Sequence, residues 1–545
     1  MQDRRVNPIT DALARAANPS GQQTIAEVIA AHAASNPEGA AFIAGKARMS
    51  WQQYRDWSDL LAAALIEGGF RRGERIAVLL PDGCETHVCY TACEKAGLIA
   101  VAIASRAGEK EIEHLLNVSG ARALLTPERH EAFDVVALFA SIRKKCPELQ
   151  HHLQLRDPVG APDALLIDGV SRASSLSPSL LAQIEARRTH PDELFLLNST
   201  SGTTGMPKCV MQNQRRWFAY AALAQDSAPL TGRDVFLRAI PASVGFGLWT
   251  GHFVPTLLGA TTVVLPKFKI EALLEAIQSH RVTVLAAVST QFIMMLNHPE
   301  LDRYDLSSLR LLYTGGEAVP YERAARFEER TGATVLQFYG SNETGALSYT
   351  TVRDSRTRRL TTAGRTIECM HVRLIDDRGA DITAGGRGQP VCKGPVTCMG
   401  YFNDEVANRK LYTADGSMKM EDLVTLDHEG YLSVIGRVGD FIIRGGKNIS
   451  AVAVEEAALA HPSVRMAAAV PAPDAVFGER VCLYLVPALD RAITLPELVS
   501  FLESQGVSRE YFPEHLVIVD ELPSGSGGKV AKHLLKADIK ARLGA

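Results

Sequence analysis

Short apolar runs alternate with amphipathic stretches through the first two thirds of the chain, and this alternation constrains the fold more than any other feature. Arg75–Leu80, Ala121–Leu125, Leu194–Leu197, Thr261–Leu265, Val282–Ala286 and Leu309–Tyr313 are each four to six residues long. That is the length of strands buried on both faces. Helix-like stretches such as Ile270–Ser279 and Tyr321–Arg330 lie between several of them. Ser50 and Gln53 make a capping-box signature for a helix over Trp51–Ile66, which Gly68 and Gly69 stop. The pattern predicts an α/β fold of layered, largely parallel sheets, with a ligand site in the loops that follow strands.

After about residue 364 the pattern turns β-rich, with short runs at Met370–Ile375, Gln389–Lys393 and Tyr431–Ile435. It changes again near Gly436–Asp440. The tail reads as a small α+β unit: helix Val452–Ala460, strands Ala467–Val470 and Val481–Val486, helix Leu495–Ser504 and a last helix Val530–Leu535. We therefore expect a large N-terminal domain over residues 1–436, with a β-rich subdomain, and a small C-terminal domain over 437–545. The Ser-rich stretch Ser171–Ser179 is expected to be a surface connection.

With 46% hydrophobic residues, and 58 Lys+Arg against 61 Asp+Glu, the chain has ample core material and no basic excess. Disorder and a simple electrostatic nucleic-acid binder are excluded. The longest apolar segments, Gly97–Ala104 and Val254–Leu265, are too short to span a bilayer. The charged start, MQDRR, is no secretory signal. Nine cysteines are an odd number at low density, which fits a reduced, cytoplasmic chain. Cys84, Cys89 and Cys93, near His87, lack metal-ligand spacing and read as buried helical thiols.

Between Asn198 and Lys208 the sequence reads STSGTTGMPK, and every residue from 199 to 205 is Ser, Thr or Gly. Glycines let a loop turn its N–H groups toward an anion, hydroxyls add donors, and a lysine adds a point charge. Such a run is also what a solvated linker looks like; the strand directly before it and the Pro-Lys close favour a polyphosphate loop. Its spacing is not the Walker pattern. This TSGTTGMPK run resembles the phosphate signature of the adenylate-forming enzymes, which include acyl- and aryl-CoA synthetases, adenylation domains and luciferases. Further segments continue the likeness in order: Tyr313–Glu317 (YTGGE), Tyr339–Thr344 (YGSNET), Asp422, Gly436–Asp440 (GRVGD), Gly445–Ile449 (GGKNI) and Pro523–Lys529 (PSGSGGK). The likeness covers roughly residues 25–540, nearest the branch with 2,3-dihydroxybenzoate–AMP ligases and alicyclic-acid–CoA ligases.

The resemblance implies transfer of AMP from ATP to a carboxylic acid, followed by capture of the acyl group by a thiol. It assigns the phosphates to Thr200, Ser201, Gly202, Thr203, Thr204, Gly205 and Lys208. Adenine and ribose fall to Gly315, Gly316, Glu317, Tyr339, Gly340, Ser341, Asn342, Asp422 and Arg437. Glu343 would hold Mg²⁺, and Lys529 would be the catalytic cation on a mobile C-terminal domain. Gly445 and Gly446 would line the CoA passage, with a hinge at Gly439, where the family has Asp or Lys. Where the family often places a histidine, this chain has Val244. Ser243, Val244, Gly245, Phe246 and Gly247 make a mostly apolar, small-residue wall, and a site that reads a buried hydroxyl should carry a partner for it, so an aliphatic, alicyclic or plain aromatic acyl group is expected. The expected partners are that acid, ATP and CoA. A carrier protein bearing phosphopantetheine is the alternative acceptor, and a non-catalytic nucleotide sensor is the third possibility. No carrier motif follows Lys529.

Overall fold

A computed structural model describes residues 23–130, 134–157, 160–161, 163–171, 176–200, 206–316, 319–437, 441–444, 447–488, 491–524 and 530–544. Two large sheets form the body. The first has nine strands; its centre is the parallel set Thr261–Val264, Val235–Arg238, Val284–Ala286, Leu311–Gly315 and Thr334–Ser341. The second has eight, with Leu196–Ser199, Ile99–Ala102, Arg75–Val78, Ala123–Pro127 and His151–Leu155 parallel at its centre. One apolar core joins them through the helices Trp51–Glu67, Cys84–Lys95 and Gln214–Ser227. The mixed α/β architecture agrees with the alternation in the sequence.

Local signals acted as expected at several places. Ser50 Oγ accepts from the Gln53 N–H at 3.2 Å, and Gln53 Oε1 accepts from the Ser50 N–H at 2.8 Å. Cys84, Cys89 and Cys93 lie buried on one helix. Burial pushes the Cys93 thiol up to about 12, so it stays protonated and inert at neutral pH. Among the described residues no group of three or more His, Cys, Asp or Glu is placed to hold a metal.

Four predicted strands begin two residues later than expected, at Ala123, Leu196, Val284 and Leu311. At two of them the reason is a helix stop. Gly120 and Arg281 sit in the left-handed region at φ 58° and 50°. The Ala121 N–H then returns to Leu116 O and the Val282 N–H to Ile277 O. The apolar residue after the turn closes the preceding helix instead of opening the strand. The Ser-rich connection is shorter than expected, because Ser177 Oγ caps a helix over Pro178–Arg187. The last helix runs Lys532–Leu543 rather than Val530–Leu535.

A five-stranded sheet built from Arg373–Ile375, Arg387–Cys392, Met418–Lys419, Asp422–Leu426 and Leu432–Arg437 supplies the β-rich part. The C-terminal unit packs the helices Ala451–Leu459 and Leu495–Ser504 on a second five-stranded sheet, with Gly478–Pro487 at its centre. Arg323, on helix Tyr321–Thr331, donates to Leu459 O at 3.2 Å and Val464 O at 2.6 Å and so holds this unit against the large sheet. Among the described residues no helix is long and apolar enough to cross a membrane.

Candidate active site

The strands on either side of the phosphate-loop run pair as the arms of a hairpin. Leu196–Ser199 pairs antiparallel with Cys209–Gln212, and Thr200 and Lys208 close it. The Thr200 N–H reaches Lys208 O at 3.1 Å and the Lys208 N–H reaches Thr200 Oγ1 at 3.0 Å. Ser201, Gly202, Thr203, Thr204 and Gly205 lie outside the described residues.

Next to this hairpin come the loops that follow two parallel strands of the large sheet, Leu311–Gly315 and Thr334–Ser341, paired Gly315 to Phe338. Gly316 takes a left-handed φ of 81° after the first; Glu317 lies outside the described residues. After the second, Ser341 Oγ accepts from the N–H groups of Glu343 and Thr344 at 3.2 and 3.1 Å, fixing the turn that presents Glu343. A Cβ at Gly340 would lie 1.8 Å from Gly345 O, a backbone atom that cannot swing away. Gly340→Ala should therefore destabilise the protein by ~1–3 kcal/mol or more, read as a lower unfolding midpoint. An unchanged midpoint would contradict the tight strand crossing.

The sequence-distant groups then meet. Lys208 Nζ stands 5.1 Å from the centre of the Tyr401 ring, and the Tyr401 hydroxyl donates to Glu343 Oε1 at 2.7 Å. Burial first, then the Glu343 charge, pushes the Tyr401 phenol far above its ordinary range, so it remains a donor. Tyr339 Oη donates to Asp422 Oδ2 at 2.8 Å, joining an aromatic face to a carboxylate. Asp422 pairs in register with Arg437, whose side chain lies outside the described residues. Asn342 does not point into open space: its Oδ1 accepts from Asn198 Nδ2 at 3.2 Å, and its Nδ2 reaches Ser199 O at 3.5 Å. Gly439, Gly445, Gly446 and Lys529 lie outside the described residues.

On the far side of Asn342 stands the expected acyl wall. Val244 precedes a short helix, Gly245–Leu248, that continues as one π-helical stretch, Trp249–Phe253. A Cβ at Gly245 would come 2.5 Å from Asn342 Oδ1, so glycine lets this wall touch the nucleotide side. Val244, Gly245 and Phe246 are half-buried, whereas Gly247 is buried against the Pro241 carbonyl. Phe246 meets Trp249, whose ring lies 4.4 Å from Phe338, 5.2 Å from Tyr220 and 5.9 Å from Tyr313. Behind the wall, Arg238 Nη1 donates to Asp82 Oδ1 at 2.9 Å, and the same oxygen accepts from the Ala242 N–H at 2.9 Å. His87 and His252 share a 2.6 Å Nδ1···Nδ1 hydrogen bond. Burial lowers both imidazoles, His252 to about 3, so both rings are neutral at pH 7 and one donates to the other.

Trp249, Tyr401, Arg216, Gln212 and Asn198 were not found from the sequence. Asn198 carried a weak signal, a polar residue closing the apolar strand run LFLLN. The others carried none, because each also depends on partners far away in the chain, as Arg216 does on Asn342 and Val396.

A cation and a carboxylate gathered beside the Ser/Thr/Gly-rich run suit a polyphosphate with its divalent ion. Among the described residues Glu343 belongs to no cluster of three or more His, Cys, Asp or Glu, which fits Mg²⁺ held mainly by phosphate and water. Tyr339 and Asp422 suit a nucleoside ring and its hydroxyls.

Residues 29–402 match the family model described as AMP-binding enzyme, and residues 453–529 match the model of the AMP-binding enzyme C-terminal domain. The chain is 32% identical to a medium-chain fatty-acid–CoA ligase of Escherichia coli (strain K12), over 89% of this chain and 84% of that ligase. It is 31% identical to a salicyl-AMP ligase / salicyl-S-ArCP synthetase of Mycobacterium tuberculosis, over 92% of this chain and 87% of that protein. Among solved structures, an anthranilate CoA ligase in complex with anthranoyl-AMP superposes with a TM-score of 0.85 at 21% identity, covering 97% of this chain and all of that one, 100%.

Proposed function

The chain belongs to the AMP-binding enzyme family, and from that premise we propose that it is an ATP-dependent carboxylic acid:CoA ligase acting on an apolar aliphatic, alicyclic or aromatic acid. The observation that carries this reading is the gathering of Lys208, Tyr401 and Glu343, a cation, a phenol and a carboxylate from three distant segments, beside the phosphate hairpin.

In the first step a carboxylate oxygen attacks the α-phosphorus of ATP and pyrophosphate leaves. The product is a mixed anhydride whose AMP is a good leaving group. Both reactants are anionic, so fixed cations and donors are the main requirement. Lys208 and the hairpin hold the phosphates. Glu343 would hold Mg²⁺, which would supply charge neutralisation on the phosphate oxygens. Asp422 accepts from the ribose hydroxyls, and Tyr339 gives adenine an apolar face. Lys529 bridges the acyl carboxylate and the phosphate.

In the second step the thiol of CoA loses its proton and attacks the acyl carbon, and AMP departs. The C-terminal unit, taken as residues 437–545, turns about Gly439 between steps. It withdraws Lys529 and brings the Gly445–Gly446 segment to the thiol's path. The wall of Val244, Gly245 and Phe246 favours an apolar acyl group, because it offers a hydroxyl no partner. The reaction belongs in the cytoplasm, where ATP and CoA are available.

A carrier protein is the competing acceptor, favoured by the likeness to the salicyl-S-ArCP synthetase. Pyrophosphate release over a panel of acids, with free CoA or with a phosphopantetheinylated carrier, tests both. Thioester on CoA supports the ligase. Thioester on the carrier alone replaces it with the second reading. Absence of acid-dependent pyrophosphate release across the panel sinks both and leaves a nucleotide-binding protein without catalysis.

A further inference from the structure

Arg216 is only 2% exposed, and none of the three hydrogen bonds of its guanidinium goes to a carboxylate. Its Nε donates to Val396 O at 2.7 Å, one terminal nitrogen to Gln212 Oε1, and the other to Asn342 O at 2.6 Å. The rings of Trp217 and Tyr220 lie 5.4 and 5.5 Å from its central carbon. Gln212 passes the connection on: its Nε2 donates to Asn198 Oδ1 at 2.7 Å, and Asn198 Nδ2 donates to Asn342 Oδ1 at 3.2 Å. The bonds close a ring, from Arg216 through Gln212, Asn198 and Asn342 back to Arg216.

Each member of that ring stands on a different part of the site. Asn198 lies in the strand before the phosphate hairpin turn and Gln212 in the strand after it. Asn342 O belongs to the peptide that leads into Glu343. Val396 lies on the segment whose Cys398 N–H donates to Glu343 O at 2.8 Å and which also carries Tyr401. A fully satisfied buried network of this kind fixes one arrangement of its members. The planar guanidinium fork reaches three acceptors at set angles, which an ammonium cannot do.

We propose that Arg216 is a positioning residue for the outer phosphates of magnesium-bound ATP. It sets the strands Leu196–Ser199 and Cys209–Gln212 in register with the Glu343 turn, so that Lys208 and the Glu343 carboxylate address one polyphosphate. Its buried guanidinium, bonded to neutral oxygens of Val396, Gln212 and Asn342, adds a fixed positive field behind an anion site. The proposal rests on the reading of this site as the ATP site and names a residue within it that the phosphate and nucleoside motifs do not contain.

The test is calorimetric titration of wild type, Arg216→Lys and Arg216→Met with MgATP and separately with AMP, alongside their thermal unfolding. AMP lacks the outer phosphates. Both folded variants should bind MgATP about tenfold or more weakly, as expected when charge-assisted bonds that order a site are lost, with AMP affinity within about twofold of wild type. Equal weakening for MgATP and AMP, or none for MgATP, overturns the proposal, since a residue serving the fold alone would not single out the outer phosphates. If neither variant folds, Gln212→Leu cuts the same ring at its next bond and should weaken MgATP about threefold with AMP unaffected, and equal or absent weakening again overturns it. A wild type that binds MgATP while the variants bind it as tightly sinks the role of Arg216 alone. A wild type that binds no MgATP sinks the ATP-site reading and this proposal with it.

Discussion

Lys529→Ala is expected to slow acyl-adenylate formation by ~10²–10³ or more, the loss that follows removal of one preorganised donor worth about 3–4 kcal/mol. The acyl carboxylate and the α-phosphate repel each other until a cation lies between them, and the transition state concentrates that charge. Local sequence suits a mobile presentation: SGSGG precedes the lysine, and helix Lys532–Leu543 follows closely. Acid-dependent exchange of pyrophosphate into ATP measures the first step. Thioester formation from supplied acyl-adenylate measures the second, and on the proposed reading, in which Lys529 serves the first step, it should change by no more than a few fold. Wild-type exchange in the variant would remove Lys529 from the chemistry. Equal losses in both half-reactions would instead mark a general defect of the C-terminal unit.

The largest expected loss of stability comes from a pair the motifs never mention. Asp82→Asn leaves the Arg238 guanidinium, 1% exposed in its side chain, without its ion-pair partner, and Nε and Nη2 of Arg238 already lack hydrogen-bond partners among the described residues. Breaking a buried pair by neutralising one member costs about 3–5 kcal/mol, because the remaining charge stays desolvated. Asparagine keeps the shape and still accepts from the Ala242 N–H, so the loss reports charge rather than packing. The first unfolding transition in denaturant should move to clearly lower concentration. The pair also joins the second sheet's Asp82 loop to the strand leading into the acyl wall, so KM for the acid should rise in the folded variant. An unchanged transition would show that other groups or solvent neutralise Arg238.

Much of the site was legible because ligand chemistry leaves local marks. A run of Ser, Thr and Gly closed by lysine, or a tyrosine and a glutamate four residues apart after a strand, can be recognised without a partner in view. Element types were legible for the same reason: the Ser50–Gln53 capping box and the apolar runs depend on neighbours within a few residues. Boundaries were less so. Ala121 and Val282 are apolar whether they open a strand or close a helix, and only the left-handed residue before each decides. Arg216 shows the opposite extreme: its neighbours in sequence mark an ordinary helix, while two of the three groups it holds come from positions 342 and 396.

By itself the amino-acid order determined the layered α/β class and the family to which the chain belongs, since both are written in short-range patterns of apolarity, backbone freedom and charge. Only the tertiary structure decided that Tyr339 meets Asp422, that Lys208 and Glu343 share Tyr401, and that Gly245 lets the acyl wall touch Asn342. Those contacts close loops of many tens of residues. Their geometry is set by how the sheets pack, which no local pattern encodes.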